Sequence, residues 1–160
     1  MNENKVPLKN TKSTAAILQL ERYLPYRLSI LSNRISALIS ETYSAKFALS
    51  ITEWRIMAVL GEYPGVSADE VSLKTQIEKS ILSRAISKLL HRKLLERAFD
   101  PADKRRSMLR LTETGLSVYD ELVPISYDYE QQLLTCFNDS ESQQFSELID
   151  RLYAHAEKSN

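Results

Sequence analysis

Several residue types that support catalysis or metal binding are scarce in this chain of 160 residues. Its three glycines are dispersed, which excludes the clustered glycines of a dinucleotide fingerprint or a P-loop. One cysteine, Cys136, excludes an intramolecular disulfide and a cysteine-rich zinc site. The two histidines, His91 and His155, lie far apart and offer little for a metal site. We therefore expect no cofactor, no bound metal and no enzymatic activity.

Long hydrophobic runs are also missing. The longest contain a few residues, whereas a membrane helix needs about 20. The polar residues 1–12 contain no apolar core of the kind found in signal peptides. We therefore predict a cytoplasmic protein with no membrane partner. The composition, 43% hydrophobic and 26% charged, is typical of a globular chain, and the length predicts a single domain over residues 1–160.

The charges are balanced in number but not in position. Lys and Arg together number 21, as do Asp and Glu, so the formal net charge is zero. Between Gln76 and Arg110, however, ten residues are basic and four are acidic. Such a basic segment indicates a surface that binds a polyanion such as nucleic acid. Charge alone leaves open a solvated helix face whose charges have no partner.

The chain is predicted to be mostly helical. Four Ser/Thr residues are followed three positions later by Glu or Gln, which is the pattern of reciprocal helix capping: Ser50 with Glu53, Ser67 with Glu70, Thr75 with Glu78, and Ser140 with Gln143. Apolar periodicity predicts six helices, at about residues 13–46, 51–62, 68–74, 76–92, 113–136 and 141–157. Pro25 is expected to kink the first helix or to mark its start. Residues 94–99 and 107–111 read as two short strands of a hairpin whose tip, residues 100–106, is basic.

The fourth predicted helix has an unusual exposed face. At 100° per residue its apolar side chains fill one arc, which we predict to be buried: Ile77, Ile81, Leu82, Ala85, Ile86, Leu89 and Leu90. The opposite arc and its edges carry Ser80, Ser83, Arg84, Ser87, His91, Lys79 and Lys88. The three serines keep this surface low enough to enter a DNA groove about 12 Å wide, where Arg84 would reach a base edge or a phosphate. The alternative is that the serines occur there by chance.

A short helix, a turn, this helix and the basic hairpin form a winged helix-turn-helix. We predict a mainly α fold in which residues 50–111 make this unit with a two-stranded β wing. Residues 13–46 and 113–157 are predicted to be N- and C-terminal helices outside this unit. Double-stranded DNA is the expected partner, with the helix in the major groove and a wing arginine attracted to the minor groove. The predicted DNA-binding residues are Lys79, Ser80, Ser83, Arg84, Ser87 and Lys88 of the helix and Lys104, Arg105 and Arg106 of the wing.

The segment from Ser67 to Gly115 resembles the MarR family of bacterial transcription regulators. Three motifs carry the resemblance: Lys79-Ser80-Ile81-Leu82-Ser83-Arg84 at the start of the recognition helix, Asp103-Lys104-Arg105-Arg106 at the wing tip, and Leu111-Thr112-Glu113-Thr114-Gly115 at the entry to the fifth helix. The number and order of the predicted helices also agree with the family.

The resemblance assigns roles to two wing residues and shows two departures from the family pattern. It implies that Arg105 enters the minor groove and that Asp103 braces the wing. The family usually has glycine where Lys93 stands, and a left-handed lysine there would cost roughly 1 kcal/mol more than glycine. Lys104 stands where the wing's first arginine is usual, which keeps the charge but loses the bidentate fork.

The first, fifth and sixth predicted helices carry apolar stripes outside the DNA-binding unit. In the first helix the stripe consists of Leu20, Leu24, Leu28, Leu31, Ile35 and Leu38. The resemblance implies that a second copy of the chain covers these stripes, so that residues 13–46 and 113–157 are N- and C-terminal dimerisation helices. A twofold homodimer would place two recognition helices about one DNA turn apart on a pseudo-palindromic operator. The alternative is a helical bundle that folds back on itself.

Two arginines, Arg27 and Arg34, border the apolar stripe of the first helix and are candidates for binding a carboxylate. Ion pairs across the dimer are the alternative. The resemblance extends to family members that respond to phenolic or hydroxycinnamic acids, on the phrase from Tyr23 to Arg34. It implies a repressor that a small aromatic acid releases from DNA. The predicted ligand-binding residues are Tyr23, Arg27, Ile30, Arg34, Trp54 and Met57.

Other functions remain as alternatives. One is a helical adaptor that binds protein through its end helices and does not bind DNA. An enzyme using Asp100 and Asp103 is disfavoured, since these carboxylates lie in a polar loop among cations with nothing to raise a pKa. A redox-sensing role for Cys136 is also disfavoured, because its neighbours Leu134 and Phe137 predict an ordinary buried thiol.

Overall fold

The computed structural model describes residues 16–99, 101, 103 and 107–158. A 3-10 helix at Leu20–Arg22 precedes these elements: α1 (Leu24–Phe47), α2 (Ile51–Glu62), α3 (Ala68–Thr75), α4 (Lys79–His91), β1 (Leu95–Phe99), β2 (Ser107–Leu111), α5 (Glu113–Leu134) and α6 (Asp139–Glu157). The two strands pair antiparallel. Six helices with a two-stranded wing confirm the predicted fold class. No helix in the described ranges is both long and apolar enough to cross a membrane.

The chain divides into two compact units, with the boundary after Ile35, inside α1. The described part of the first unit contains the 3-10 helix and the first half of α1. Pro25 is the second residue of α1, where a helix does not need its missing N–H. The proline therefore marks the start of this helix.

The second unit, from Ser36 onward, contains the hydrophobic core. Its fully buried side chains come from the end of α1, the turn that follows it, α2, α3, α4, the wing and α5: Tyr43, Leu49, Ile56, Met57, Leu60, Val71, Leu89, Leu109 and Leu122. The hydroxyl of Tyr43 lies 2.8 Å from Ser126 Oγ and links α1 to α5. Burial raises the pKa of Tyr43 above its ordinary value of 10.0, although the bond to Ser126 opposes the shift.

Two of the four predicted capping pairs are confirmed. Glu53 N donates to Ser50 Oγ at 3.1 Å, and Ser50 N donates to the Glu53 carboxylate at 2.8 Å. Ser67 and Glu70 form the same reciprocal pair at the start of α3. Each pair satisfies amide groups that the first turn of a helix leaves without partners, which explains why α2 and α3 begin where predicted.

The predicted cap of α4 by Thr75 is wrong. Thr75 is the last residue of α3, and its hydroxyl donates to Val71 O at 2.7 Å. Gln76 follows with a φ of 54°, a left-handed conformation that no helix can continue through. As a result α4 begins at Lys79, not near Gln76, and Glu78 at its N-cap makes no side-chain capping bond.

The predicted cap of α6 by Ser140 is also wrong, because Asn138 and Glu141 form the capping box two residues earlier. Asparagine caps helices as well as serine does. The preceding helix, α5, ends at Leu134, so Cys136 falls in the turn between the two helices. Cys136 is exposed there, which makes the prediction of a buried thiol wrong.

The Leu-Thr-x-x-Gly motif joins the wing to α5. Thr112 caps α5 by accepting from Gly115 N at 3.0 Å, and its hydroxyl donates to Lys93 O at 2.6 Å. A Cβ on Gly115 would overlap the carbonyl oxygen of Leu94, so the backbones of α5 and of the residue before β1 meet where only glycine fits. The motif therefore fixes the wing against the helix that follows it.

Candidate nucleic-acid interface

A helix-turn-helix is formed by α3 and α4, joined by three residues, 76–78. Ser72 on α3 donates to Ile77 O in the turn at 2.9 Å. Gln76 closes the turn by donating from its amide to Leu73 O at 2.7 Å. The left-handed backbone at Gln76 redirects the chain, and these side-chain bonds hold the turn to α3.

One face of α4 is buried in the core and the other is exposed. Leu82, Ala85, Ile86 and Leu89 are the buried residues of the helix. All six helix residues predicted to contact DNA are exposed: Lys79, Ser80, Ser83, Arg84, Ser87 and Lys88. Because four side chains anchor the opposite face, the exposed face is held at a fixed orientation. The prediction that Ile81 is buried is wrong, since its side chain is 45% exposed.

The exposed face carries more positive than negative charge. Lys79 is held by an ion pair with Asp69 of α3 at 2.8 Å, and Ser80 donates to the carboxylate of Glu78. Arg84 donates a weak hydrogen bond from Nε to Ser80 O at 3.4 Å. In the described ranges neither Arg84 nor Lys88 forms an ion pair. Their charges are therefore available to an anionic partner.

The wing follows α4 directly. Its register runs from Leu95 opposite Leu111 to Phe99 opposite Ser107, and Glu96 pairs with Arg110 at 2.9 Å. Its tip residues Lys104, Arg105 and Arg106, all predicted to contact DNA, lie outside the described residues.

A second contact holds the wing to the segment that precedes α3. Val66 forms a bridge with Leu109, and Leu109 N donates to Val66 O at 2.8 Å. The wing is thus attached to the segment between α2 and α3 as well as to α5. The recognition helix and the wing are both fixed on the core of the second unit.

The turn after α4 has the conformation that the family pattern implies. Lys93 has a φ of 57°, and Leu94 N bonds to Leu89 O at 3.0 Å, as in a glycine-terminated helix. Lys93 therefore adopts a left-handed backbone conformation although its Cβ denies it the conformational freedom of glycine.

Arg92 makes a connection that helical periodicity does not reveal. Its guanidinium donates to Phe47 O at 2.7 Å and to Ala48 O at 2.9 Å, which are carbonyl groups at the end of α1. These bonds satisfy acceptors that the helix leaves without partners. They also link the end of the recognition helix to the end of α1. Because the partners are 44 and 45 positions away, only a structure could identify this contact.

The residues predicted to bind an effector belong to two different units. In the first unit, Tyr23, Arg27, Ile30 and Arg34 are all exposed. In the second, Trp54 is half-buried, and its ring centroid lies 5.1 Å from that of Tyr43 and 6.1 Å from that of Tyr119. Met57 is fully buried and is a core residue.

A cleft of about 910 Å³ lies between α1, α2 and the end of α4. Ser40, Ser44, Ser50, Ser87, Lys88 and His91 are among the residues that line it. None of the six predicted effector residues does so. Elsewhere, no group of three or more His, Cys, Asp or Glu side chains in the described ranges is arranged to hold a metal ion.

Residues 49–106, which contain the helix-turn-helix and the first strand of the wing, match the model of the MarR family. In this segment, about a third of its length, the chain is similar to MarR-family transcriptional regulators. The chain has the winged helix-turn-helix of a DNA-binding transcriptional regulator.

The similarity to known regulators extends along most of the chain. The regulator is 28% identical to a MarR/EmrR family transcriptional regulator from Acinetobacter sp. ADP1, with a TM-score of 0.81 over 88% of this chain and 99% of that one. It is 25% identical to the PcaV transcriptional regulator from Streptomyces coelicolor, solved with its natural ligand, with a TM-score of 0.70 over 89% and 99%. The transcriptional regulator HosA of Escherichia coli O111:H- is 24% identical over 104 residues, which are 65% of this chain and 77% of HosA.

Proposed function

We propose that this regulator is a homodimeric repressor that binds a pseudo-palindromic operator and is released by a small aromatic acid. The observation that carries the proposal is the exposed face of α4, a helix anchored in the core. This face presents small hydroxyl groups and two cations, Arg84 and Lys88, that form no ion pair with any residue that the structure describes. Such a face fits the major groove, where the residues near the start of a recognition helix meet base edges. A dimer seated on a promoter would block transcription by occupying the DNA.

Arg84 and Arg105 are proposed to have different roles on the operator. Arg84 extends from the first half of α4, so we assign it to a base edge or a nearby phosphate. Arg105 belongs to the basic wing tip, so we assign it to the minor groove or the adjacent backbone. Arg84→Ala should lose about 1–3 kcal/mol of discrimination between the operator and unrelated DNA. Arg105→Ala should weaken binding to both and should lower the salt slope by about 0.9 for each phosphate that the variant no longer neutralises.

These roles are tested by fluorescence-anisotropy titration of labelled duplex taken from upstream of the regulator's own gene, over a series of salt concentrations. Lys158→Ala, at the end of α6 and far in sequence from the helix-turn-helix, is a matched control that also removes one positive charge. If Arg84→Ala and Arg105→Ala bind as tightly as wild type at every salt concentration, both assignments are wrong.

The proposed dimer rests on apolar side chains that the single chain leaves exposed. Five leucines of the apolar stripe predicted for the first helix are 44–58% exposed: Leu20, Leu24, Leu28, Leu31 and Leu38. On α6 the residues Phe145, Leu148, Ile149, Leu152 and Tyr153 are 40–59% exposed. Apolar surface of this extent is favourable to bury, and a second copy of the chain would cover it.

The dimer is tested by light scattering on purified protein. We expect the mass of two chains for wild type and of one chain for a variant that carries both Leu28→Glu and Leu152→Glu. A matched control places glutamate at Gln143 and Ser146, which are polar positions of α6. A wild-type mass of one chain at micromolar concentration would contradict the proposed dimer.

The proposed effector is a small aromatic acid of the phenolic or hydroxycinnamic class. The support is twofold: exposed Arg27 and Arg34 are suited to pair with a carboxylate, and PcaV, which shares the fold, was solved with a natural ligand. Coupling of about 1–3 kcal/mol between ligand and DNA binding would suffice for a switch.

The effector is tested by adding a panel of hydroxycinnamic and phenolic acids to the protein–DNA complex. The chain has one tryptophan, Trp54, so intrinsic fluorescence gives a second readout of ligand binding without DNA. We expect one acid to release the DNA, and Arg27→Gln or Arg34→Gln to weaken its effect. Tight DNA binding that no acid alters would contradict the effector class but leave the regulator intact. Absence of salt-sensitive DNA binding would favour the helical adaptor instead.

A further inference from the structure

The start of the recognition helix exposes one large apolar side chain. All of α4 lies within the described residues, and along it only Ile81 among the large hydrophobic side chains is exposed, at 45%. Ile81 is the third residue of α4. The residues that contact base edges in a helix-turn-helix lie in this first part of the helix. The exposed side chain of Ile81 therefore lies in the part of the helix with which a helix-turn-helix reads DNA sequence.

The neighbours of Ile81 direct it towards DNA. Residues three, four and seven positions apart lie along one side of a helix, which places exposed Arg84 and Lys88 beside Ile81 on its outward side. Ala85, on its inward side, is buried in the core. Ile81 thus lies at the border between the core and the cationic face. Phosphate contacts by its two basic neighbours would bring its side chain against the floor of the groove.

The chemistry of the major groove offers one group that fits this side chain. Hydrogen-bond donors and acceptors of the bases pair with arginine, serine and other polar groups, whereas the only apolar group in the groove is the C5-methyl group of thymine. An exposed isoleucine gains by covering a methyl group and gains nothing from an unsatisfied carbonyl or amino group. The serines beside it can bond to several bases, so they do not make this distinction.

We propose that Ile81 determines sequence specificity by contacting the methyl group of one thymine in each operator half-site. This inference rests on the proposed binding of α4 in the major groove. It assigns a base preference to a residue that helical periodicity alone would place in the core. The preference for thymine comes from apolar contact and not from hydrogen bonding.

The test uses operators that differ from one another by single methyl groups. The operator is first selected from random duplexes with the full-length wild-type protein, and each thymine is then replaced by deoxyuridine, which lacks only the methyl group. We expect one position in each half-site at which the replacement weakens wild-type binding about fourfold, the factor that one buried methyl group contributes. The protein carrying Ile81→Ala should bind the thymine and deoxyuridine operators equally well.

Two further variants separate a methyl contact from general loss of affinity. Ile81→Val keeps a branched apolar side chain and should retain most of the sensitivity to the methyl group. Lys88→Ala should weaken binding to both operators by the same factor and leave the sensitivity intact. Thermal unfolding of each variant establishes that it is folded.

The outcomes distinguish this inference from the function on which it rests. If no duplex is enriched in the selection, the proposed DNA binding itself fails. A different result refutes only the thymine contact: wild type binds a selected operator, but at no thymine position does Ile81→Ala abolish the effect of the deoxyuridine replacement. The proposed DNA-binding function is then unaffected. Loss of sensitivity at one position in each half-site establishes the contact.

Discussion

Replacing Lys93 by glycine should stabilise the protein. Lys93 has a φ of 57°, and the bonds from Lys93 N to Leu90 O and from Leu94 N to Leu89 O, each 3.0 Å, hold it there. A residue with a Cβ costs about 1–2 kcal/mol in the left-handed region. Glycine avoids that strain but loses about 0.5–1 kcal/mol more chain entropy on folding. The difference predicts a net gain of about 0.5–1 kcal/mol in the free energy of unfolding.

The control is Lys93→Ala, which removes the same charge but keeps the Cβ. Urea unfolding of the three proteins, followed by circular dichroism at one fixed protein concentration, measures the effect without a contribution from changes in dimer population. The glycine variant should exceed the alanine variant in the free energy of unfolding by about 0.5–1 kcal/mol, and a separate thermal scan should show a midpoint temperature about 1–4 °C higher. If the two variants are equally stable, the left-handed conformation at this position carries no cost and the reasoning is refuted.

Three other changes test contacts that fix the DNA-binding unit. Gly115→Ala should lower the free energy of unfolding by about 1–3 kcal/mol because its methyl group would overlap Leu94 O, and unchanged stability would contradict that close approach. Arg92→Lys keeps the charge but cannot donate from two nitrogens to the end of α1, so it should cost about 1 kcal/mol, measured by urea unfolding; a variant as stable as wild type would refute the role of the fork. Tyr43 keeps its proton in the folded state at a pH where the unfolded chain releases it, since its pKa is raised above 10.0, so stability should fall as the pH rises above that value. Tyr43→Phe should lose less stability over the same alkaline range, and an equal loss in both proteins would contradict the shift.

The sequence is sufficient to predict most elements of the DNA-binding unit because their ends are determined locally. Reciprocal capping pairs at Ser50 and Ser67 are formed by residues three positions apart, so their chemistry can be read directly. The strands of the wing alternate with a polar loop, and their observed bounds agree with the prediction to within one residue.

The errors occur where two local patterns compete. Thr75 and Glu78 fit a capping pair, but Thr75 instead ends α3 by bonding to Val71 O. Ser140 and Gln143 also fit the pattern, but Asn138 and Glu141 form the box that starts α6. Short polar motifs define possible helix starts, and the packing of the preceding residues selects among them.

Sequence reasoning predicts the polar side of the candidate interface more accurately than its apolar edge. The six polar and basic residues of α4 are exposed as expected, because charged and hydroxyl groups are costly to bury. The exposure of Ile81 is not predictable in this way, since a helical wheel shows which residues share a face but not how far the neighbouring elements cover it. The contact of Arg92 with α1 depends on tertiary packing and has no signal in periodicity.

The most direct test of the central claim is the salt dependence of wild-type binding to DNA. Labelled duplex from upstream of the regulator's own gene and a scrambled duplex of equal length and composition are titrated by fluorescence anisotropy at several salt concentrations. A regulator that reads sequence through α4 should bind the upstream duplex more tightly than the scrambled one, with an affinity that falls linearly on a log–log plot against salt. Equal affinity for the two duplexes at every salt concentration, or no binding at low salt, would contradict the account.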